Sequence, residues 1–469
     1  MSSFEELCSA ILSPEHDAVE ITRRALLCSR ERTVAFDLAQ SNDEATRAGS
    51  TLLRDLLHIL TVQPLSLDLS DQAREELGEA VRSVGSAGGT DRDGLEAISA
   101  HTLALALEEV FGTRFFFHLA ALGERFLGEN DLLIQSSPFV EKYSPFRSAY
   151  RKRLTPDPYN LGARGADRLR SRGRLMPNVP HGAQLRWIPS WTALDDLRPG
   201  SLITIVIPGQ YEDLAPPTQE SRAERRWFFG VWPKDPAACA ETAMRIVQDA
   251  DAAGAQIVVL PEVCLTREGV DGLADWIEQK ANHILVAVCG SCHEESAGVR
   301  RNVAYIASSS KAPEYNRVAQ AKIVPYVRRT DGVEYIEDIR CSEPEICLLS
   351  GREWSLLTLI CMDFVDDRLA TLAQNLRPTL VLVPACTETT GVFATTAQQL
   401  SVRAQAHVVI ANQNVSIDGG TKAAVAMISR PLREHPAVTI DDSDGSVEIP
   451  GIRTTRLATG EWTKSLSDP

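Results

Sequence analysis

Up to about residue 140, apolar side chains recur at spacings of three and four. The stretches 20–38, 43–60, 70–84 and 93–111 read as amphipathic helices with few strand-like alternations. Asp68-Leu69-Ser70-Asp71 and Thr90-Asp91-Arg92-Asp93 put side chains suited to N-capping before two of these runs. Gly85, Gly88 and Gly89 break the chain between them. No cluster suggesting chemistry occurs here, so the pattern predicts a helical interaction or assembly domain over 1–143.

From Ser201 the pattern becomes strand and helix in alternation, which predicts a layered α/β domain over 201–469. Strands are expected at 202–207, 257–260, 284–288, 303–307, 356–360, 380–383 and 408–411, and helices at 236–253, 272–281 and 395–405. In the first of these helices Ala243, Ile246, Val247 and Ala250 share one face, and Gly254 ends it.

Between these regions, 144–200 is crowded with Arg147, Arg151, Arg153, Arg164, Arg168, Arg170, Arg172 and Arg174, and its prolines forbid a long helix. It reads as an Arg/Pro-rich connector that pairs with the protein's own acidic patches.

Length and charge narrow the function classes. A chain of 469 residues exceeds one ordinary core and suits two domains. A formal net charge of −15 argues against nucleic acid as the main partner, because phosphate contact needs a basic face. Residues 1–6 lack the basic and apolar regions of a leader, and no apolar run approaches bilayer length, so a cytoplasmic protein without a membrane partner is expected. The ten cysteines then read as reduced, mostly buried thiols. Cys289-Gly290-Ser291-Cys292-His293 spells the string that attaches c-type haem, but the export and haem-centred fold this needs are not visible. A zinc site drawing on Cys341 or Cys347 is the other formal reading of that string. Buried or loop thiols at the strand-to-loop turn after residue 288 are the reading kept, with no metal and no cofactor.

The candidate chemistry starts at Cys361, which ends the apolar run Leu356 to Ile360. Glu262 follows Ile257-Val258-Val259-Leu260-Pro261, and Lys322 precedes Ile323-Val324-Pro325. A carboxylate, an ammonium and a thiol beside three strands can converge at one sheet edge and perform nucleophilic acyl chemistry without a histidine.

Six matches in order along 201–430 resemble the carbon–nitrogen hydrolase (nitrilase) superfamily. They are the segment ending Val259-Leu260-Pro261-Glu262, Asn302-Val303-Ala304-Tyr305-Ile306, Gln320-Ala321-Lys322-Ile323-Val324-Pro325, and Leu359-Ile360-Cys361-Met362-Asp363-Phe364. Pro384-Ala385 and the helix-then-strand pattern from Arg403 to Asn412 complete the series. The resemblance implies a four-layer αββα sandwich, a Glu-Lys-Cys triad and a homo-oligomer. Glu262 can take the thiol proton and later activate water. Lys322 and the backbone N–H of Met362 can hold the oxyanion.

Two departures stand out. Many members of that superfamily carry a second glutamate several residues after the lysine, where this chain has Arg329 and Thr330. Asp331, Glu334 and Glu337 are the nearest carboxylates, and Glu334 is the choice for substrate positioning. The segment 210–227 also interrupts the link from first strand to first helix.

The function expected is hydrolysis of a non-peptide C–N bond, in a small-molecule amide or carbamoyl amide rather than a nitrile, through a Cys361 thioester. The alternative is a nitrilase-like ligand-binding or sensing module without turnover. The extra helical domain makes a place in a multi-component bacterial defence system part of that alternative, by analogy of architecture alone.

Overall fold

The computed structural model describes residues 4–31, 43–61, 67–85, 92–134, 173–189, 191–197, 201–208, 214, 218–222, 225–309, 317–330, 332–340, 343–351, 354–387, 390–404, 406–413, 426–429, 438–439 and 452–456. Two compact units result: Met1–Gly123 with 127–137 and 144–178, and Val179–Pro469 with 124–126 and 138–143.

The first unit contains helices α1 (Phe4–Leu12), α2 (Ala18–Glu31), α3 (Asp43–Thr61), α4 (Asp71–Gly85) and α5 (Arg92–Ala121). α5 packs on α2, α3 and α4. It buries Leu103, Leu107, Phe111 and Phe115 against Ile21, Ala25, Leu52, Leu56 and Leu77 from those helices. Ser70 Oγ caps α4 by accepting the N–H of Ala73 at 3.2 Å, as the sequence suggested. The buried Arg74 guanidinium donates to the carbonyls of Ile11, Ser13, His16 and Leu69, so one cation satisfies the backbone of the α1–α2 turn. α2 covers the expected helix up to Glu31, and the rest of the expected 20–38 lies outside the described residues.

Three short strands follow, β1 (Arg125–Leu127), β2 (Leu132–Ile134) and β3 (Gly173–Leu175). β2 and β3 form an antiparallel pair in the first unit, which is therefore not purely helical.

The second unit begins earlier than the sequence suggested. Strand β4 (Gln184–Ile188) was expected inside the connector but pairs in parallel with β14 (Glu345–Ser350). Its Trp187 is fully buried and donates Nε1–H to Ser350 Oγ at 3.0 Å. Residues 184–188 are therefore part of the eight-stranded sheet rather than of the connector. Of its basic residues, Arg147, Arg151, Arg153, Arg164, Arg168, Arg170 and Arg172 lie outside the described residues.

After the short helix α6 (Thr192–Asp195) come β5 (Leu202–Val206), β6 (Thr218–Arg222), β7 (Arg225–Phe229), helix α7 (Pro236–Ala252), β8 (Ala255–Val259) and helix α8 (Arg267–Lys280). Then follow β9 (Val286–Ser296), β10 (Val299–Ser308), β11 (Arg317–Ala321), β12 (Val327–Thr330), β13 (Val333–Glu337), β14 and β15 (Ser355–Thr358). Helices α9 (Met362–Val365) and α10 (Asp367–Leu376), β16 (Leu380–Ala385), α11 (Thr390–Arg403), β17 (His407–Asn412), β18 (Ala426–Ser429), β19 (Val438–Thr439) and β20 (Ile452–Arg456) complete the described elements.

The strands form a six-stranded sheet, β11-β10-β9-β8-β5-β20, and an eight-stranded sheet, β1-β4-β14-β15-β16-β17-β18-β19. Parallel runs β5-β8-β9 and β15-β16-β17 occupy their centres and pack face to face. Helices α7 and α8 cover the outer face of the first sheet, and α11 lies against the second. This is the expected four-layer αββα arrangement.

The segment that interrupts the link from β5 to α7 is structured. β6 and β7 form a hairpin in a four-stranded sheet, β12-β13-β7-β6, beside the sandwich. The string Cys289 to His293 lies inside β9, not at a strand-to-loop turn. Gly290 there has φ +78, and a Cβ on it would meet the Pro261 carbonyl oxygen at 2.5 Å, so only glycine fits. Cys289 and Cys292 are buried core thiols. Among the described residues no helix is long and apolar enough to cross a membrane.

Candidate active site

Three strand ends meet between the two sheets. Cys361 continues the line of β15, where its N–H donates to the Pro384 carbonyl at 2.9 Å. Glu262, just past β8, donates its N–H to the next carbonyl of β16, Ala385, at 3.3 Å. One strand of one sheet thus fixes the backbones of both residues. Lys322 follows β11, and its N–H donates to Asn302 at 2.8 Å.

The turns that carry these groups are strained. Cys361 has φ 46 and ψ −103 at the start of α9, and Val263, next to Glu262, has φ 50. A β-branched valine in the left-handed region costs about 1–3 kcal/mol, and packing must hold it there. Strain beside two of the three candidate groups marks this as the place where the fold serves geometry before stability.

The Lys322 ammonium bridges two carboxylates, at 2.8 Å from Glu262 Oε1 and 2.6 Å from Glu337 Oε2. All three groups are almost fully enclosed, with Lys322 2 % exposed. Burial alone would discharge the lysine, but the charges of Glu262 and Glu337 outweigh it and hold its pKa well above the ordinary value. Burial would likewise raise Glu337, yet Lys322 and the His293 hydrogen bond prevail and hold it well below the usual carboxylate range.

Glu337, not Glu334, is the second carboxylate beside Lys322. Its Oε1 accepts from Asn302 Nδ2 and His293 Nε2, each at 3.0 Å. Its Oε2 accepts from Lys322 Nζ and from the Tyr326 N–H at 2.9 Å. Glu334 instead pairs with Arg225 and Arg329 away from these groups. Period-two alternation puts 334 and 337 on opposite faces of β13, so the choice turns on which face meets the sandwich.

Asn302 Nδ2 also reaches Glu262 Oε1 at 2.9 Å, so one side-chain amide spaces the two carboxylates. Ser291 Oγ and Asn302 Oδ1 are buried without a partner among the described residues. Asp363 lies two residues past the thiol and accepts the N–H groups of Ile323, at 3.0 Å, and Val324, at 2.7 Å. Burial pushes its carboxyl up to about 7, although the two N–H groups and Lys322 favour its charge.

The Cys361 side chain is 1 % exposed. Burial and the charge of Glu262 raise its pKa well above the ordinary thiol value, while Lys322 and the Cys386 N–H pull the other way. The resting group is a thiol within electrostatic reach of both a carboxylate and an ammonium. Met362 follows as the first residue of α9, its backbone N–H at the helix start. Glu262, Lys322 and Cys361, the residues singled out in the sequence, lie together here; Asn302 and Asp363, quoted there without a role, and His293, read there only as part of a metal-type string, lie beside them. No group of histidine, cysteine or acidic side chains among the described residues is arranged to hold a metal ion.

No family model matches the chain, and no curated protein does. Solved structures do resemble it. An amidase from Nesterenkonia sp. is 17 % identical over 56 % of this chain and 92 % of its own, with a TM-score of 0.39. A mutant of the Nesterenkonia sp. AN1 amidase in complex with butyramide is 16 % identical over 55 % of this chain and 91 % of its own, with a TM-score of 0.38. A double mutant in complex with acrylamide is 16 % identical over 57 % and 95 %, with a TM-score of 0.39. The second unit has the αββα layering that the six sequence matches imply, with Glu262, Lys322 and Cys361 on adjoining strand ends.

Proposed function

We propose that the nitrilase-like unit hydrolyses a non-peptide C–N bond of a small amide or carbamoyl amide, in preference to a nitrile, through a thioester on Cys361. The observation that carries this reading is the unequal treatment of the two carboxylates around Lys322. Glu337 receives four donors, two on each oxygen, and is fixed as a counter-ion. Both bonds to Glu262 fall on Oε1, which leaves Oε2 for a proton.

In this mechanism Glu262 Oε2 takes the proton of the Cys361 thiol as sulfur attacks the amide carbon. A base is required because burial and the Glu262 charge keep the thiol protonated at rest. The carbonyl electrons move to oxygen, and the Lys322 ammonium and Met362 N–H stabilise that charge. As the C–N bond breaks, Glu262 returns its proton to the leaving nitrogen, and the thioester remains. Glu262 then deprotonates a water that attacks the thioester carbon, the C–S bond breaks, and the thiol is restored with the acid as product. Glu337 keeps Lys322 charged throughout. The unpartnered Ser291 Oγ and Asn302 Oδ1 offer polar atoms to a substrate or water.

A ligand-binding or sensing module without turnover is the second reading, favoured by the enclosure of the thiol. Mass spectrometry after incubation with an amide library separates the two. An acyl adduct on Cys361, with release of the matching amine, supports hydrolysis. Saturable binding with neither adduct nor amine release supports the module and ends the hydrolase reading.

A further inference from the structure

His293 contacts none of the three groups assigned to the chemistry, yet it is buried against the carboxylate that holds Lys322. Its Nδ1 accepts two backbone N–H groups, from Gly230 and Val231, each at 3.0 Å. A nitrogen that accepts cannot carry a proton, so Nε2 bears the hydrogen and donates it to Glu337 Oε1. An imidazolium would aim a third N–H at the two amides. Phe229 stacks on the ring with centroids 4.7 Å apart, and the Arg300 guanidinium sits 5.3 Å from the Phe229 centroid, a further bias against a second positive charge.

The donors to His293 belong to the turn after β7, whose strand pairs in parallel with β13 so that Glu337 lies opposite Phe228. The hairpin that interrupts the link from β5 to α7 is therefore connected to the site. It supplies both the strand that registers Glu337 and the amides that fix the histidine tautomer.

We propose that His293 is a positioning residue for the Lys322–Glu337 pair, held neutral by the Gly230–Val231 turn so that it donates to Glu337 without competing for its charge. This rests on the hydrolase reading above. A charged histidine would share the counter-ion of Lys322. A residue that donates nothing would leave Glu337 Oε1 with Asn302 alone and let the carboxylate rotate away from the ammonium. Glutamine can imitate the neutral ring, with an amide N–H for Glu337 and an oxygen for the turn, whereas leucine can do neither.

The full-length protein is treated with iodoacetamide between pH 5 and 9, and alkylation of Cys361 is followed by mass spectrometry in wild type, His293→Leu and His293→Gln. Thermal unfolding of each variant serves as the folding control. The expected result is about tenfold slower labelling in His293→Leu, the size of a lost hydrogen bond to a charged group. His293→Gln should stay within about threefold of wild type.

A folded His293→Leu with the wild-type labelling rate overturns the proposal. So does a folded His293→Gln as slow as His293→Leu, since the ring would then matter for its shape alone. Should His293→Leu fail to fold, the Gln variant decides by its labelling rate. If wild-type Cys361 labels no faster than the other cysteines, the hydrolase reading itself falls, and this inference falls with it.

Discussion

The Asp363 carboxylate accepts the Val324 N–H at 2.7 Å and thereby ties the turn holding the thiol to the turn holding the ammonium. The two turns belong to different sheets, so this bond sets the spacing of Cys361 and Lys322 across the sandwich.

Asp363 also predicts a pH dependence. Burial pushes its carboxyl up to about 7 in the folded protein, against 3.8 for an exposed aspartate. Between those values the folded state binds the extra proton, so stability falls as pH rises through the window. The shift corresponds to at most about 4 kcal/mol. Asp363→Asn should remove this slope, which urea unfolding at pH 4.5, 6 and 7.5 would show as a wild-type-minus-variant difference that changes steadily. A constant difference would rule out the burial argument.

Cys361→Ala should abolish turnover and adduct formation while the protein stays folded, because truncating a single sulfur costs little packing. Cys361→Ser should be nearly inert, since a hydroxyl is far harder to ionise than a thiol. Amine release by the serine variant at the wild-type rate would exclude a thiol nucleophile.

Lys322→Met removes the one cation between two buried carboxylates. Activity should drop by roughly 10²–10³-fold from loss of the oxyanion donor. Unfolding free energy at pH 8 should fall by about 3–5 kcal/mol, because Glu262 and Glu337 are left as uncompensated charges. The deficit should shrink toward pH 5 as one carboxylate gains a proton, so a pH-independent deficit would count against the ion-pair account.

Glu337→Gln should slow turnover by at least about tenfold through loss of the counter-ion, whereas Glu334→Gln should change it by less than about twofold. Steady-state kinetics on the substrate found by the adduct screen would compare them, and equal effects would contradict the assignment of Glu337.

A chain starting at Val179 should fold and label at Cys361. One starting at Pro199 should aggregate, because it loses Leu185, Trp187, Ile188, Trp191 and Leu194 from the core and bares the edge of β14. Solubility and circular dichroism of the two truncations check this.

The sequence by itself determined what local periodicity and short motifs can carry. Apolar spacing marked α3 and α4 closely, because an amphipathic helix writes its buried stripe into neighbouring residues. Glu262, Lys322 and Cys361 were legible because each adjoins an apolar strand, and a strand end is a local signal. Tertiary structure decided the rest. Trp187 looked like part of a connector, and only pairing with β14, far along the chain, makes it core. Glu337 prevailed over Glu334 because the register of β13 against β7 turns one face inward, and a register between distant strands leaves no local trace. His293 looked like the end of a metal-type string until the Gly230–Val231 turn and Glu337 closed on its two nitrogens. Periodicity reports which residues share a face. What that face meets depends on contacts between distant segments, and those exist only once the chain has folded.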